Sequence, residues 1–457
     1  MSSAGINFSG LASGIDTKSV IEALLAVERK PLAALQTKRT SYEKQKTLFG
    51  DFESKLGKLK TAADALKTAG KFLEFKATPE KEDYFTATAS SGATSGSYDI
   101  RVLDLAKAKV ATSAGQADKG TSTYGSGTLY ITVGSTTKQI TFDGSETLQD
   151  VAARINEVGT SSGAGELVQA TVLDTGNGTN RYQLVLTAKT SGLDGAFTLN
   201  TTELDTGLKT LFDGFTTSTT ASDAHITIDG VDVYRSKNQI DDAIAGVTLN
   251  LKAKSPGAVD TKLTITTDTT AVAKKVKDLV DAYNDVVAFV KGQNEQDSKG
   301  NAKNPLFGDS TLSTIRGSLR TVVGTTFDTG NPSYSMLAQM GVTSDRDGKL
   351  TFDETKFSAA VVKGETAVRS LFSDTTKGIA NALSSRIESY TSSVDGIILA
   401  RKQGFDRLVK NVDDQIAQGE RRLGNYELQL KNKFSAMESM LSRLQSQGSA
   451  LGSIGRR

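Results

Sequence analysis

The sequence predicts an α+β multidomain protein: a helical stem with coiled-coil legs built from both chain ends, and a β-rich, two-lobed head inserted between them. Three observations predict it. Near the N-terminus apolar residues recur at every seventh position, Leu35, Tyr42, Phe49, Leu56 and Ala63, with Phe52, Leu59 and Leu66 at the companion offset. A second unbroken series closes the chain, Val409, Ile416, Leu423, Leu430, Met437, Leu444 and Leu451. Between the two series the texture changes to short alternating runs rich in Thr, Ser and Gly. Seven-residue spacing paints one stripe along a helix, and such a stripe is covered only by another helix. Strict alternation paints one face of a half-buried strand.

The N-terminal elements are well punctuated. Asp16 is placed to cap a helix running to about Arg29, and Pro31 is suited to the first turn of a second helix reaching about Thr68. At about 1.5 Å per residue, that second helix is a rod of roughly 57 Å, and rods of this length pack on other rods. After Gly70 come period-two runs such as YFTATAS (84–90), SYDIRVL (97–103) and RYQLVLTA (181–188). The stretch 201–220 contains eight Thr in twenty residues and reads as a connecting loop.

An internal echo runs through the head. Residues 127–156 read as strand, turn, strand, an Asp143-Gly144 turn, then a helix capped by Thr147 with Asp150 three residues on. Residues 224–252 read as strand, an Asp229-Gly230 turn, strand, then a helix capped by Asn238 with Asp241 three on. Helical periodicity returns near 269, with Val272, Val276, Leu279, Tyr283, Val286 and Val290 on one face. A short helix carrying Leu312, Ile315 and Leu319 follows, then a hairpin around Asp347-Gly348. The expected organisation is an N-terminal helical leg and stem (1–75), a proximal β lobe in two parts (76–110 and 222–268), a distal β lobe inserted in it (111–221), a helical stem domain (269–400) and a C-terminal amphipathic leg (401–457). Gly404, Gly419 and Gly424 fall within that last leg and weaken its helix by roughly 1 kcal/mol each relative to Ala. A leg of that kind is marginal alone and folds on assembly.

Composition narrows the function. The chain has 457 residues and a net charge of +2, so it has no bulk field to attract nucleic acid or an anionic membrane. From 401 onward eleven Lys and Arg face six Asp and Glu, as expected of a solvated helix face. Cysteine is absent, which excludes disulfides, thiolate metal sites and thiol catalysis. No apolar run approaches the roughly 18 residues of a spanning helix, so no membrane insertion is expected. The N-terminal residues show neither a basic n-region nor an apolar h-region, so a Sec signal is not expected.

No catalytic, metal or cofactor site is expected. Three Asp-Thr-Gly triplets begin at Asp174, Asp205 and Asp328, but an aspartic dyad needs two such loops facing each other at about 3 Å, and turn chemistry explains them better. In SDRDGKLTFDE (344–354), Gly348 falls too early for a calcium loop and Lys349 occupies a ligand position. Ser41 and Lys44 match a Ser-x-x-Lys pair on a long helix with no pocket implied. His225, the only histidine, has no second His or Cys with which to hold zinc.

Several segments then carry a resemblance. FSGLASGIDTKSVIEALLAVERKPLAAL (8–35), DDAIAGVTLNLKAKSPG (241–257), NPLFGDSTLSTIRGSLR (304–320), MGVTSDRDGKLTFDETKF (340–357) and SYTSSVDGIILARKQGFDRL (389–408) occur in the order seen in the flagellar filament-capping proteins, also called hook-associated protein two. The chain resembles that family at both ends and from 224 onward, and weakly over 111–221. The resemblance implies export through the flagellar type III apparatus, a ring-like homo-oligomer at the filament tip, and guidance of incoming flagellin. It also implies contact with hook–filament junction proteins and with an export chaperone at the C-terminal helix. Leu35, Tyr42, Phe49, Leu56, Val409, Ile416, Leu423, Leu430, Met437 and Leu444 are then the assembly residues of the legs. The alternative reading is a surface adhesin that binds host glycans or mucin through the β head.

Overall fold

The computed structural model describes residues 14, 16–159, 163–328 and 334–454, the last five of them (450–454) as backbone only. The described chain divides into two compact units, one formed by residues up to Phe72 together with those from Ala273 on, the other by Leu73–Val272.

The first unit is helical. Its opening helix, α1 (Thr17–Asp64), starts where expected: the Asp16 carboxylate accepts from the Ser19 N–H at 3.1 Å. The expected break at Pro31 does not occur, and α1 runs through it without interruption. Residues on both sides of Pro31 pack on the long C-terminal helix α9 (Ile397–Ile454), Ile21 and Leu25 against Leu430 and Leu32 against Gly419. Tertiary contact thus carries the helix through a residue that costs about 3 kcal/mol in an isolated helix interior.

Farther along α1, Phe49, Phe52, Leu56, Leu59 and Ala63 are completely buried, as is Leu66 in the turn that follows. They enter a core shared with α5 (Thr269–Gln293), whose expected stripe from Val272 to Val290 is buried throughout. Phe52 stacks on Phe289 with centroids 5.5 Å apart. Next come α6 (Ser310–Gly324), capped by Asp309, and the hairpin β16 (Val342–Ser344) and β17 (Leu350–Phe352). Asn284 of α5 pins that hairpin by exchanging two 2.8 Å hydrogen bonds with the backbone of Leu350. Two more helices, α7 (Glu354–Ser373) and α8 (Ile379–Thr391), complete the unit, with Phe72 of α2 (Ala69–Phe72) stacked on Phe372 at 5.5 Å.

The second unit contains two cores, each between antiparallel sheets. One lies under the five-stranded sheet β1-β15-β3-β11-β12 and the three-stranded sheet β13-β14-β2, and includes Phe85, Ile100, Val102, Ile226, Leu249 and Leu263. The strands are β1 (Phe75–Pro79), β2 (Phe85–Ala89), β3 (Gly96–Asp104), β11 (Ala224–Ile228), β12 (Val231–Arg235), β13 (Gln239–Ile244), β14 (Val247–Leu251) and β15 (Thr261–Thr267). The other core lies between the sheets β10-β4-β8-β7 and β6-β5-β9 and includes Leu129, Phe142, Leu184, Phe197 and Phe212. Its strands are β4 (Val110–Thr112), β5 (Thr123–Val133), β6 (Thr136–Thr147), β7 (Val168–Asp174), β8 (Tyr182–Ala188), β9 (Phe197–Leu204) and β10 (Thr216–Thr219), with helices α3 (Leu148–Ile155) and α4 (Thr206–Asp213).

Each core is closed by the strands at its own ends. Phe75 of β1 pairs with Thr267 of β15, and Ala111 of β4 pairs with Thr217 of β10. The second core is therefore a nested insertion whose entry and exit lie side by side, continued by a bridge between Lys107 and Ser222.

Three expectations fail in this unit. The Thr-rich stretch 201–220 is not a loop but β9, α4 and β10, because Leu204, Leu208, Leu211 and Phe212 face the core and Thr suits the strands. The helix expected after Asn238 is the β13–β14 hairpin, in which Ile240, Ile244, Val247, Leu249 and Leu251 are buried. Asn238 caps nothing there. Its side chain instead accepts from the Ala106 N–H at 2.7 Å and donates to the Ala106 carbonyl at 3.0 Å. Finally, Asp143-Gly144 lies inside β6, where the buried Glu146 carboxylate accepts from both of their N–H groups. The Thr147–Asp150 capping box on α3 and the Asp229-Gly230 turn, both residues at positive φ, form as expected.

Asp64 of α1 links the helices of the first unit. Burial opposes its charge, but the Ser384 hydroxyl at 2.7 Å and the Lys60 ammonium at 3.2 Å prevail and hold its carboxyl below the usual range. A depressed folded-state pKa contributes stability above the unfolded value that is lost as pH falls through the folded one. Melting curves taken into the range below about pH 4 will show this unit losing stability, with a shallower slope for Asp64→Asn. Asn238→Ala leaves the Ala106 amide and carbonyl unsatisfied and should destabilise the second unit by about 1–3 kcal/mol in denaturant titration.

Candidate functional site: the paired terminal helices

The feature that the rest of the first unit does not require is the length of its two end helices. With 48 and 58 residues, α1 and α9 extend about 72 and 87 Å. They run antiparallel, as their contacts show in sequence. Glu53 meets Lys402 at 2.9 Å, Lys46 meets Asp406 at 2.5 Å and Arg39 meets Asp413 at 2.6 Å, so that one number rises as the other falls. The Asp413 carboxylate, accepting from the Arg39 guanidinium, holds that guanidinium's pKa above its usual value. These pairs flank the apolar seam. They set register more than stability, since exposed ion pairs contribute about 0–1 kcal/mol.

The seam uses the heptad residues unequally. Phe49 and Leu56 are buried in the unit's core, and Phe49 lies 5.8 Å from the Phe405 ring. Arg401 sits over both rings, 5.5 and 5.4 Å from their centroids. Tyr42 approaches the same Phe405 ring at 6.5 Å, and Leu35, Tyr42, Val409 and Ile416 are half-buried along the seam. Leu430 is buried against Ile21 and Leu25, with Leu423, Tyr426 and Phe434 packed around them. The sequence had not marked Phe405 and Val412, both buried on α9. A search for the companion offset would have found them, as it did on α1.

The weakening expected from the three glycines does not break α9, and at Gly419 the packing shows what the glycine is for. The helix is continuous through Gly404, Gly419 and Gly424. A Cβ on Gly419 would lie 2.4 Å from the Leu32 Cδ2, so this glycine allows Leu32 to reach the α9 backbone. A local weakness of the helix is thereby a close-packing point of the pair.

Beyond residue 434 the seam changes character. Helix α9 continues for five more turns past the level of Thr17, where α1 begins. Met437 and Leu441 are half-exposed, Leu444 is 54% exposed and Met440 66%. The same stripe that is covered by α1 farther up therefore has no described helix across it here. The Leu451 side chain, at the end of the series, lies outside the described residues, as do residues 8–13 and 15 of the N-terminal motif.

The residues weighed for chemistry are occupied in structural roles. Asp174 makes two 2.6 Å hydrogen bonds with Arg181 across the β7–β8 hairpin. Asp205 accepts from the Ser126 N–H and hydroxyl at 2.9 and 2.6 Å. Asp328 pairs with Lys377 at 3.0 Å, and the Thr329-Gly330 of its triplet lies outside the described residues. His225 bonds Asp232 at 2.7 Å and stacks on Tyr234 at 4.2 Å. Asp345 accepts from the Lys349 N–H within the β16–β17 hairpin. Ser41 and Lys44 lie in mid-α1. Among the described residues no group of three or more His, Cys, Asp or Glu could hold a metal ion, and no helix is long and apolar enough to cross a membrane.

A pair of long terminal helices whose apolar seam runs on past its partner is the architecture of a protein of structural assembly. Residues 13–109 match the N-terminal model and residues 221–446 the C-terminal model of flagellar hook-associated protein 2. The B-type flagellar hook-associated protein 2 of Pseudomonas aeruginosa is 30% identical over 435 residues, covering 91% of this chain and 89% of that one. The flagellar hook-associated protein 2 of Escherichia coli K12 is 29% identical over 468 residues, covering 98% and 97%. The crystal structure of the Escherichia coli flagellar cap protein FliD, domains D1-D2-D3, superposes with a TM-score of 0.64 at 29% identity, covering 79% of this chain and 99% of that one. The chain belongs to the flagellar hook-associated protein 2 family, and its place is the cap of the flagellar filament. Residues 110–220, most of the second β core, fall between the two model matches.

The close approach at Gly419 gives a test. Gly419→Val should wedge α1 from α9 at a cost of about 1–3 kcal/mol and speed amide hydrogen exchange in 17–35 and 410–434. Leu32→Ala in the same chain should restore protection.

Proposed function

We propose that this chain caps the distal end of the filament as a ring-like homo-oligomer, with its paired end helices as the legs that seat it. The cap promotes insertion and polymerisation of exported flagellin and prevents its loss to the medium. The observation that carries this reading is the α9 stripe that outruns α1: Met437, Met440, Leu441 and Leu444 present an apolar face of the kind that recruits a helix. The leg comprises α1 up to about residue 46 and α9 from about 401. The stem comprises the remaining helices, and the head comprises a proximal lobe with a distal lobe inserted in it.

The ten stripe residues divide accordingly. Leu35, Tyr42, Val409, Ile416, Leu423 and Leu430 build the leg within one subunit, Phe49 and Leu56 anchor α1 in the stem core, and Met437 and Leu444 are available to neighbouring cap subunits or to flagellin. Hook–filament junction proteins meet the chain at the same tip, and an export chaperone takes the C-terminal helix before assembly. Folding on assembly belongs to the uncovered residues 435–449, because 405–434 are already paired with α1. The comparisons give the glycan-binding alternative no support.

Two double variants separate the roles. Met437→Asp with Leu444→Asp should leave thermal melting of the subunit unchanged, abolish filament growth, and release unassembled flagellin to the medium. Leu423→Asp with Leu430→Asp should abolish growth and also loosen the leg, because Leu430 is buried against Ile21 and Leu25. Normal filaments from the first variant would refute the docking reading.

A further inference from the structure

The chain contains one Asn-Gly dipeptide, Asn177-Gly178, and the fold places it where that pair is most reactive. It lies in the loop between β7 and β8, where every residue from Leu173 to Arg181 is exposed. The loop is held at its base and free at its tip. At the base, Asp174 and Arg181 form their bidentate pair, the Thr175 N–H donates to the Arg181 carbonyl at 2.8 Å, and the Thr175 hydroxyl donates to the same oxygen at 3.0 Å. At the tip, Asn177 stands between Gly176 and Gly178, both at positive φ, and a Cβ on either would meet nothing within 4 Å. Among the described residues no hydrogen bond holds the Asn177 side-chain amide, and its backbone N–H makes only a long 3.4 Å donation to the Thr175 hydroxyl.

We propose that Asn177 is a site of spontaneous deamidation in the folded protein. The backbone nitrogen of Gly178 attacks the Asn177 side-chain carbonyl carbon. An N–C bond forms, the amide C–N bond breaks, and ammonia leaves with the proton from the Gly178 nitrogen. Water then opens the resulting five-membered imide at one of its two carbonyls and yields either aspartate or isoaspartate. The attack needs the peptide to turn so that Cγ meets the following nitrogen, and a glycine without Cβ offers the least steric resistance to that turn. The other exposed Asn followed by a residue with a side chain are poorer candidates. Asn200, for example, lies in β9 before Thr201, and its side-chain oxygen accepts from the Thr202 N–H and hydroxyl at 3.1 and 2.7 Å.

The product carries one more negative charge on the distal lobe, close to the Asp174–Arg181 pair, and in the isoaspartyl form the loop gains a backbone methylene.

The test is peptide mapping by mass spectrometry of the intact, folded chain incubated at neutral to mildly alkaline pH, with fragmentation that separates aspartate from isoaspartate. Conversion at Asn177 should outpace that at Asn200 by roughly tenfold or more, because of the bare glycine nitrogen and the free tip. The native rate at Asn177 should also approach that of the same chain in denaturant. An Asn177→Gln chain, which lacks the five-membered route, should keep a single charge form on ion exchange through the same incubation. Native conversion at Asn177 no faster than at Asn200, or far slower than in denaturant, would overturn the proposal, since the fold would then be protecting the site.

Discussion

Everything in this molecule depends on the antiparallel seam between its first and last helices. The Arg39–Asp413 pair joins residues 374 positions apart, and the apolar contacts beside it join the two ends along most of the length of α1. Bringing such distant segments together is less costly than it looks. Closure entropy grows only logarithmically with loop length, by about 0.6 kcal/mol per doubling. The intervening chain also returns on itself, because β1 pairs with β15 and, within that, β4 pairs with β10. Each insertion ends beside where it began, so a lobe can be added or changed without altering the helices outside it. Residues 110–220, which neither family match covers, occupy such an insertion.

The seam also explains how poor helix residues sit within long helices. Pro31 and Gly419 would each weaken an isolated helix, yet both lie where the two helices are in contact. At Gly419 the missing side chain is what allows Leu32 to approach. Where the seam ends, the exposed side chains of Met440 and Leu444 keep the same spacing. A subunit built this way is closed where its two end helices pack on each other and carries an open apolar stripe beyond them.

In the lobes, carboxylates that the sequence offered for chemistry are used to hold the fold. Asp174 is bonded to Arg181, Asp205 to Ser126, and Glu146 to the Asp143 and Gly144 amides. A carboxylate so engaged fixes a turn, and its charge is neutralised or hydrogen-bonded where it stands. Asp174 and Asp205 are thus engaged with separate partners, as turn chemistry predicts for their triplets.

The sequence by itself determined what depends on near neighbours: the heptad stripes, the α5 face from Val272 to Val290, the Asp16 and Thr147 caps, the turns at Asp229-Gly230 and Asp347-Gly348, and the lack of thiol chemistry. These follow from periodicity and from side chains bonding their own backbone within a few residues. Only the tertiary structure decided the continuation of α1 through Pro31 and the choice of a hairpin after Asn238, whose side chain is claimed by Ala106, 132 residues away. It alone turned the Thr-rich stretch into β9, α4 and β10, and it alone separated stripe residues facing inward from those left open. The reason is that each of these outcomes depends on a partner distant in sequence, and local propensity is worth less than the contact that opposes it.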